Sequence, residues 1–423
     1  MTFGYLLIAA ILFSCILADR FSGKFGMPAL ILFMAVGMIF GCDGLFKIQF
    51  DNYGVAEKVC AAALVFIMFY GGFNTKWQSA KCVAVRATIL STLGVLVTAG
   101  LTGVFCYFVL HFSYVESFLI GAVLSSTDAA SVFSILRGKH LNLRDGTASL
   151  LEIESGSNDP MSYLLTMIGI SLLGNADTGN IPLMIFMQLA LGILVGVVVA
   201  LIGIVLLTKT NFIPEGLETI FVIAIVIVSF GLAELIGGNS YLSVYLLGIL
   251  LGNSRIRNKN ILIPFFDGVT GLAQILIFFL LGLLAFPHRM PDIMVPALLI
   301  ALFLTFVARP IAVFGILLPF RCSIRQCLLV SWAGLRGAAS IVFAIMVIAG
   351  GGDISLDLFH IVFMVALLSV AFQGTLIPKV AEKLDMVDNS ADVSKTFNDY
   401  QEESAMTLMR MYIPKGHNWE NHK

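Results

Sequence analysis

The 423 residues are 59% hydrophobic and only 12% charged, with a net charge of −1 and a mean hydropathy of +0.97. Soluble domains carry about 25% charged residues, so this chain lacks the surface that a water-soluble fold needs. The near-neutral balance also excludes the basic field of a nucleic-acid partner.

Apolar runs of about 20 residues, enough to cross ~30 Å of hydrocarbon, recur along the chain. Their centres lie near Ile11, Phe33, Val65, Val95, Val123, Thr166, Val195, Ile225, Leu246, Ile277, Leu302, Phe343 and Val365. The period-2 alternation of a barrel is missing. The pattern predicts an all-α polytopic membrane protein of about 13 transmembrane helices. The first run has no basic leader and no small-residue cleavage site before Asp19, so it reads as a span and not as a signal peptide. The seven cysteines show no metal-ligand spacing and read as small core residues. No cofactor signature appears.

Loop charge tests the span order. Fourteen Lys and Arg fall in one alternating set of loops, from Arg20 to Arg325. Only Lys47, Lys58 and Arg289 fall in the other set. By the positive-inside rule the N-terminus is outside and the C-terminus cytoplasmic, in a cell (inner) membrane.

The two halves resemble each other. Leu17-Ala18-Asp19 aligns with Leu232-Ala233-Glu234, Phe25 onward with Gly237 onward, and Asp128–Phe133 with Gly337–Phe343, at nearly constant offset. A displacement of seven spans inverts the second copy, and inverted repeats mark alternating-access transporters. This gives repeat one (about 3–174), a connector span (about 181–209) and repeat two (about 216–380), together a membrane domain over 1–380. Residues 381–423, polar from Asp385 on, read as a cytoplasmic tail or linker, with a short amphipathic helix expected at 405–413.

Ionisable groups inside spans need a reason. In span five, Ser125, Ser126, Thr127 and Asp128 put three hydroxyls and a carboxylate into an apolar run. Ser and Thr satisfy backbone groups where a helix unwinds, which frees carbonyls for a cation. The plain alternative makes Asp128 a helix N-cap. In span six, Glu154 and Asn158 share one helix face and Ser155 and Asp159 the adjacent one. Gly156 allows close helix approach, and Pro160 frees a carbonyl one turn back. These hard oxygen donors suit a monovalent alkali cation, with Asp159 and Asp128 as its metal ligands, and do not suit zinc or copper. In span twelve, Gly334 and Gly337 flank Arg336 and predict a break facing that of span five. Glu154 is the expected partner of Arg336, which leaves Asp159 free to bind a cation or a proton.

The strings ESGSNDP (154–160), STDAA (126–130) and GLRGAAS (334–340) resemble the sodium/proton exchanger family. The nearest resemblance is to bacterial potassium/proton antiporters of the cell-volume-regulation type, over about residues 3–380. The resemblance implies discontinuous crossing helices in spans 5 and 12, electroneutral K+ or Na+ exchange for a proton, a homodimer, and a part in pH and volume homeostasis. Carried over, Asp159 is the shared cation/proton carboxylate and Asn158 its partner in the Asn-Asp pair. Thr127, Asp128 and Ser155 complete the ion site, and Glu154 pairs with Arg336. Relatives of that type carry soluble regulatory domains after the membrane unit, so the expectation is a truncated chain or a shorter relative.

Ser126, Asp267 and Gln274 are secondary candidates. Asp267 and Gln274, seven apart, line a funnel or brace the breaks. Arg309, before Pro310, snorkels or pairs. Asp19 and Glu234 are expected to stop their spans. His360 starts span thirteen and the other histidines lie in loops or the tail, so no histidine relay is expected. Two other functions stay in view. A cation channel needs a continuous polar path, and an intramembrane aspartyl protease would use Asp128 with Asp159.

Overall fold

The computed structural model describes residues 2–25, 28–138, 141–174, 180–209, 213–214, 216–256, 258–351 and 354–388. Most of them are helical, as hydrocarbon demands of a chain whose backbone groups must pair internally.

The first half comprises α1 (Thr2–Phe25), α2 (Ala29–Phe40), α3 (Tyr53–Asn74), the single turn α4 (Trp77–Ala80), and α5 (Ala84–Ile89), which passes through a π turn (Leu90–Gly94) into α6 (Val95–Phe108). There follow α7 (Tyr114–Val123), α8 (Ala129–Gly138), the short strand β1 (Asn142–Leu143), α9 (Thr147–Leu173) and α10 (Ile181–Lys209). The second half comprises α11 (Glu218–Leu235), α12 (Ser240–Gly252) and α13 (Lys259–Leu284). Then α14 (Met290–Phe303) runs through a π turn (Leu304–Ala308) into α15 (Arg309–Leu317). The chain closes with α16 (Ile324–Trp332), α17 (Ala338–Ala349), α18 (Leu358–Leu368), a π turn (Ser369–Gly374), α19 (Thr375–Lys383) and β2 (Val387–Asp388).

Among the described residues, eight helical stretches are long and apolar enough to cross a membrane, and four shorter apolar helices (α2, α7, α12 and α17) accompany them. At 27 residues α9 is also long enough, but its Glu152, Glu154 and Asp159 set it apart. Side-chain caps mark helix starts, as polar residues at these positions should. Asn52 accepts from Val55 N–H, Asn239 from Leu242 N–H and Ser323 from Gln326 N–H. Asp19 does not stop its helix: α1 continues to Phe25. Glu234 lies at the end of α11, as expected.

The helices sort into two bundles. One joins α2 to α13, α13 to α3, α3 to α12, and α12 to α10 and α11, with α1 against α2. Small residues bring these helices together: a Cβ on Gly37 or Gly282 would fall on the backbone of the facing helix. The other bundle joins α5–α9 to α14–α19. The bundles meet where α17 lies on α3 and α13 and where α9 lies on α12 and α3.

Residues 381–388, assigned by composition to the tail, close α19 and form β2. This strand pairs antiparallel with β1, Asn142 opposite Asp388. Asp385 there bridges Arg144 (3.1 Å) and Arg325 (3.2 Å). The rest of the tail, including 405–413, lies outside the described residues.

Candidate functional site

Two helix interruptions face each other. Residues 124–128 separate α7 from α8, and 333–337 separate α16 from α17. They are stitched at two points. The Asp128 N–H donates to the Leu335 carbonyl at 2.9 Å, and Arg336 Nη1 donates to the Ser126 carbonyl at 2.8 Å. Within the first break, Ser125 Oγ satisfies the Ala122 carbonyl at 2.6 Å, and Ser155 Oγ from α9 donates to the Thr127 carbonyl at 2.5 Å. The hydroxyls thus do what an unwound segment in low dielectric requires.

Asp128 combines both sequence readings. It lies in a mid-span break, and it also caps α8. Its Oδ1 accepts from the Ser131 N–H at 3.3 Å, and Ser131 Oγ donates to Oδ2 at 2.5 Å. Gly337 packs directly on it, and a Cβ there would overlap the carboxylate.

A cavity of about 500 Å³ opens between the bundles. Three helices line it with the same spacing. From α9 come Glu152, Ser155, Gly156 and Asp159; from α13 come Asp267, Thr270, Gly271 and Gln274; from α3 come Ile67, Tyr70, Gly71 and Asn74. Positions i, i+3, i+4 and i+7 form one helix stripe, so each helix turns one face to the cavity. Seven residues rise ~10 Å, the separation along α9 between Glu152 and Asp159. Ser126, Thr127 and Asp128 from the first break and Gly337 from the second add to the wall. Among the described residues four carboxylates line the space, and no Lys, Arg or His does.

At the inner end, Ser126 Oγ donates to Asp159 Oδ1. Among the described residues Asp159 makes no ion pair. One turn further along α9, Tyr163 meets Tyr241 edge-on with centroids 4.9 Å apart, and Phe343 lies 5.9 and 6.0 Å from the two. Tyr241 and Phe343 are fully buried, so aromatic rings close the protein beyond Asp159.

The two polar faces of α9 point apart. Ser155 and Asp159 face the cavity, whereas Glu154 and Asn158 are buried behind it, at 1% and 0% exposure. Asn158 Nδ2 donates to Thr127 Oγ1 at 2.5 Å, so Asn158 braces the break and does not line the cavity.

The expected Glu154–Arg336 pair is not formed. Glu154 is held by Arg309, whose Nη1 and Nη2 donate to its two oxygens at 2.8 and 3.0 Å. Arg309 directly follows the π turn of α14–α15, which re-aims the side chains after it. Arg336 lies in the non-helical stretch 333–337, and its side chain is spent on the Ser126 carbonyl. Sequence reasoning also missed Glu152, Tyr70 and Asn74. The signal for Glu152 was its position two turns before Asp159. Tyr70 Oη donates to Asp267 at 2.8 Å, tying two walls of the cavity together.

The family described as sodium/hydrogen exchanger, transmembrane, matches residues 8–383. The chain belongs to the sodium/hydrogen exchanger family. It is 37% identical over 404 residues to the K(+)/H(+) antiporter NhaP2 of Shewanella sp. (strain MR-4), covering 93% of this chain and 69% of that protein. It is 36% identical over 384 residues to the K(+)/H(+) antiporter NhaP of Alkalimonas amylolytica, covering 90% of this chain and 67% of that one. The structure of the sodium proton antiporter MjNhaP1 from Methanocaldococcus jannaschii at pH 8 superposes with a TM-score of 0.78 at 24% identity, over 90% of this chain and 99% of that chain. The fold is therefore that of this exchanger.

Proposed function

We propose that this protein is a secondary antiporter exchanging one monovalent cation for one proton, with Asp159 as the group that binds either. One observation carries this reading: among the described residues Asp159 stands on the cavity wall with only a neutral hydroxyl donor, while its neighbour Glu154 is neutralised by Arg309. Asp128, Glu154, Arg309 and Arg336 sum to zero charge around it. A proton or a cation on Asp159 makes the whole cluster neutral, and burial penalises any state that is not. Cation and proton compete for the same oxygens, which gives electroneutral one-for-one exchange.

Thr127, Ser155, Ser126 and Asp128 supply the neighbouring oxygen donors for the cation, and Asn158 holds Thr127. The bundle of α5–α9 and α14–α19 moves against the other, which opens Asp159 to each side in turn. With the C-terminus cytoplasmic, the cavity between the α3 C-terminus and the α9 and α13 N-termini faces the cytoplasm. Exposed apolar side chains such as Tyr5, Ile8, Phe13 and Leu235 face lipid, and a homodimer in the inner membrane is the assembly that the family resemblance implies. The relatives at 36–37% identity carry K(+)/H(+) names, so potassium is the first cation to test.

A channel requires a continuous polar path, which Tyr163, Tyr241 and Phe343 interrupt. An aspartyl protease requires two facing carboxylates sharing a proton, whereas Asp128 is committed to Ser131. Proton flux in proteoliposomes, scanned over Li+, Na+, K+ and Rb+ with and without a membrane potential, tests the proposal. Cation-driven flux that ignores the potential supports it. Flux that follows the potential contradicts electroneutral exchange.

A further inference from the structure

Arg336 is buried, at 2% exposure, yet among the described residues no carboxylate oxygen lies within 4 Å of it. Its side chain grips a neutral group, the Ser126 carbonyl, at 2.8 Å. Its own position is fixed from behind. The Arg336 N–H donates to Ser369 Oγ at 3.2 Å, and Ser369 Oγ donates to Gln373 Oε1 at 2.6 Å. Trp332 Nε1, at the end of α16, donates to the Gln373 carbonyl at 3.2 Å. The π turn 369–374 therefore anchors the second break, and the second break aims the guanidinium at the first.

Ser126 has two polar ends at this point. Its carbonyl is turned back toward Arg336, and its hydroxyl is turned forward to Asp159. In an unwound segment nothing in the helix ladder fixes which way a peptide carbonyl faces. A rotation of that peptide would carry the Ser126 hydroxyl off Asp159 and leave the carboxylate without its hydrogen-bond donor.

We infer that Arg336 is a positioning residue for the exchange. By holding the Ser126 carbonyl away from the cavity it keeps the Ser126 hydroxyl on Asp159 and so sets how tightly the cation is held. This rests on the assignment of Asp159 as the shared site. Arg336 never touches the ion; beyond its share of the cluster's charge, which Arg336→Lys retains, it acts through Ser126.

The test is a double-mutant cycle read in proteoliposomes as K+-dependent proton flux against K+ concentration. Flux is normalised to protein that elutes as a single peak in size exclusion. Ser126→Ala and Arg336→Gln should each raise the apparent KM for K+ about tenfold, the size of one lost hydrogen bond to a charged group. The double variant should be no worse than either single one, and Arg336→Lys should recover most of the affinity. Where Arg336→Gln does not fold, Arg336→Met combined with the same Ser126→Ala background takes its place, and the same non-additivity is expected. An Arg336 variant that lowers only the amount of folded protein at unchanged KM would overturn the inference. So would KM effects that multiply to about a hundredfold in the double variant. Failure of the underlying reading looks different: Asp159→Asn would then retain exchange, whatever the Arg336 variants do.

Discussion

Arg309 meets Glu154 in a two-pronged ion pair, both side chains almost fully out of solvent at 3% and 1% exposure. The pair joins α15 to α9 directly behind the Asp159 wall, so it fixes the helix that carries the site without entering the cavity.

Breaking this pair from one side leaves an uncompensated charge in low dielectric, which costs about 3–5 kcal/mol. Glu154→Gln and Arg309→Met are each expected to lower thermal stability in detergent sharply. Glu154→Leu combined with Arg309→Met removes both charges and should recover much of the loss. Melting followed by fluorescence-detected size exclusion checks this. A double variant as unstable as the singles would mean that the pair contributes more than mutual charge balance.

Gly337 is required by contact. A methyl group there drives into the Asp128 side chain, displacing the cap of α8 and the cavity wall together. Gly337→Ala should lose exchange by more than about tenfold. Gly100→Ala, on α6 with open space beside it, should leave transport unchanged, since alanine is also the better helix former. Flux assays on the two variants side by side separate the local clash from a general intolerance of alanine.

Glu152 and Asp267 line the same cavity as Asp159, with no cationic side chain among its described lining residues, so whatever charge they carry there is negative. Fixed charge of one sign in a low-dielectric cleft concentrates counter-ions, an effect that salt screens. Glu152→Gln and Asp267→Asn should raise the KM for K+ several-fold at low ionic strength while maximal flux stays near parent. The difference should shrink when choline chloride raises the ionic strength. A fall in maximal flux at unchanged KM would instead place these acids in the translocation step.

Much of this was legible in the sequence because hydrocarbon leaves few options. Runs of about 20 apolar residues must be helices, and Ser-Ser-Thr-Asp in the middle of one announces a break, found at 124–128. ESGSNDP announced the polar helix. The partner of Glu154 was not legible. Both Arg309 and Arg336 lie in apolar spans, and the choice between them turns on a π turn at 304–308. One extra residue in that turn rotates every later position by about 100°, and nothing in Leu-Thr-Phe-Val-Ala signals it. The divergence of the two faces of α9 was hidden for a similar reason. Adjacent stripes on one helix look like one strip until neighbouring bundles show which side holds a cavity. Glu152 was not legible as a site residue, since the helix dipole accounts equally well for a carboxylate near a helix start; only the facing stripes of α3 and α13 show that it borders the same cavity as Asp159.

The decisive measurement is cation-driven proton flux in proteoliposomes carrying Asp159→Asn, matched to parent for folded protein by size exclusion. Asparagine keeps the shape and can still accept the Ser126 hydroxyl, but it neither titrates nor balances a cation. Flux should fall to the level of empty liposomes for every cation at every pH. Retained cation-dependent proton flux in this variant would contradict the assignment of Asp159 as the shared site.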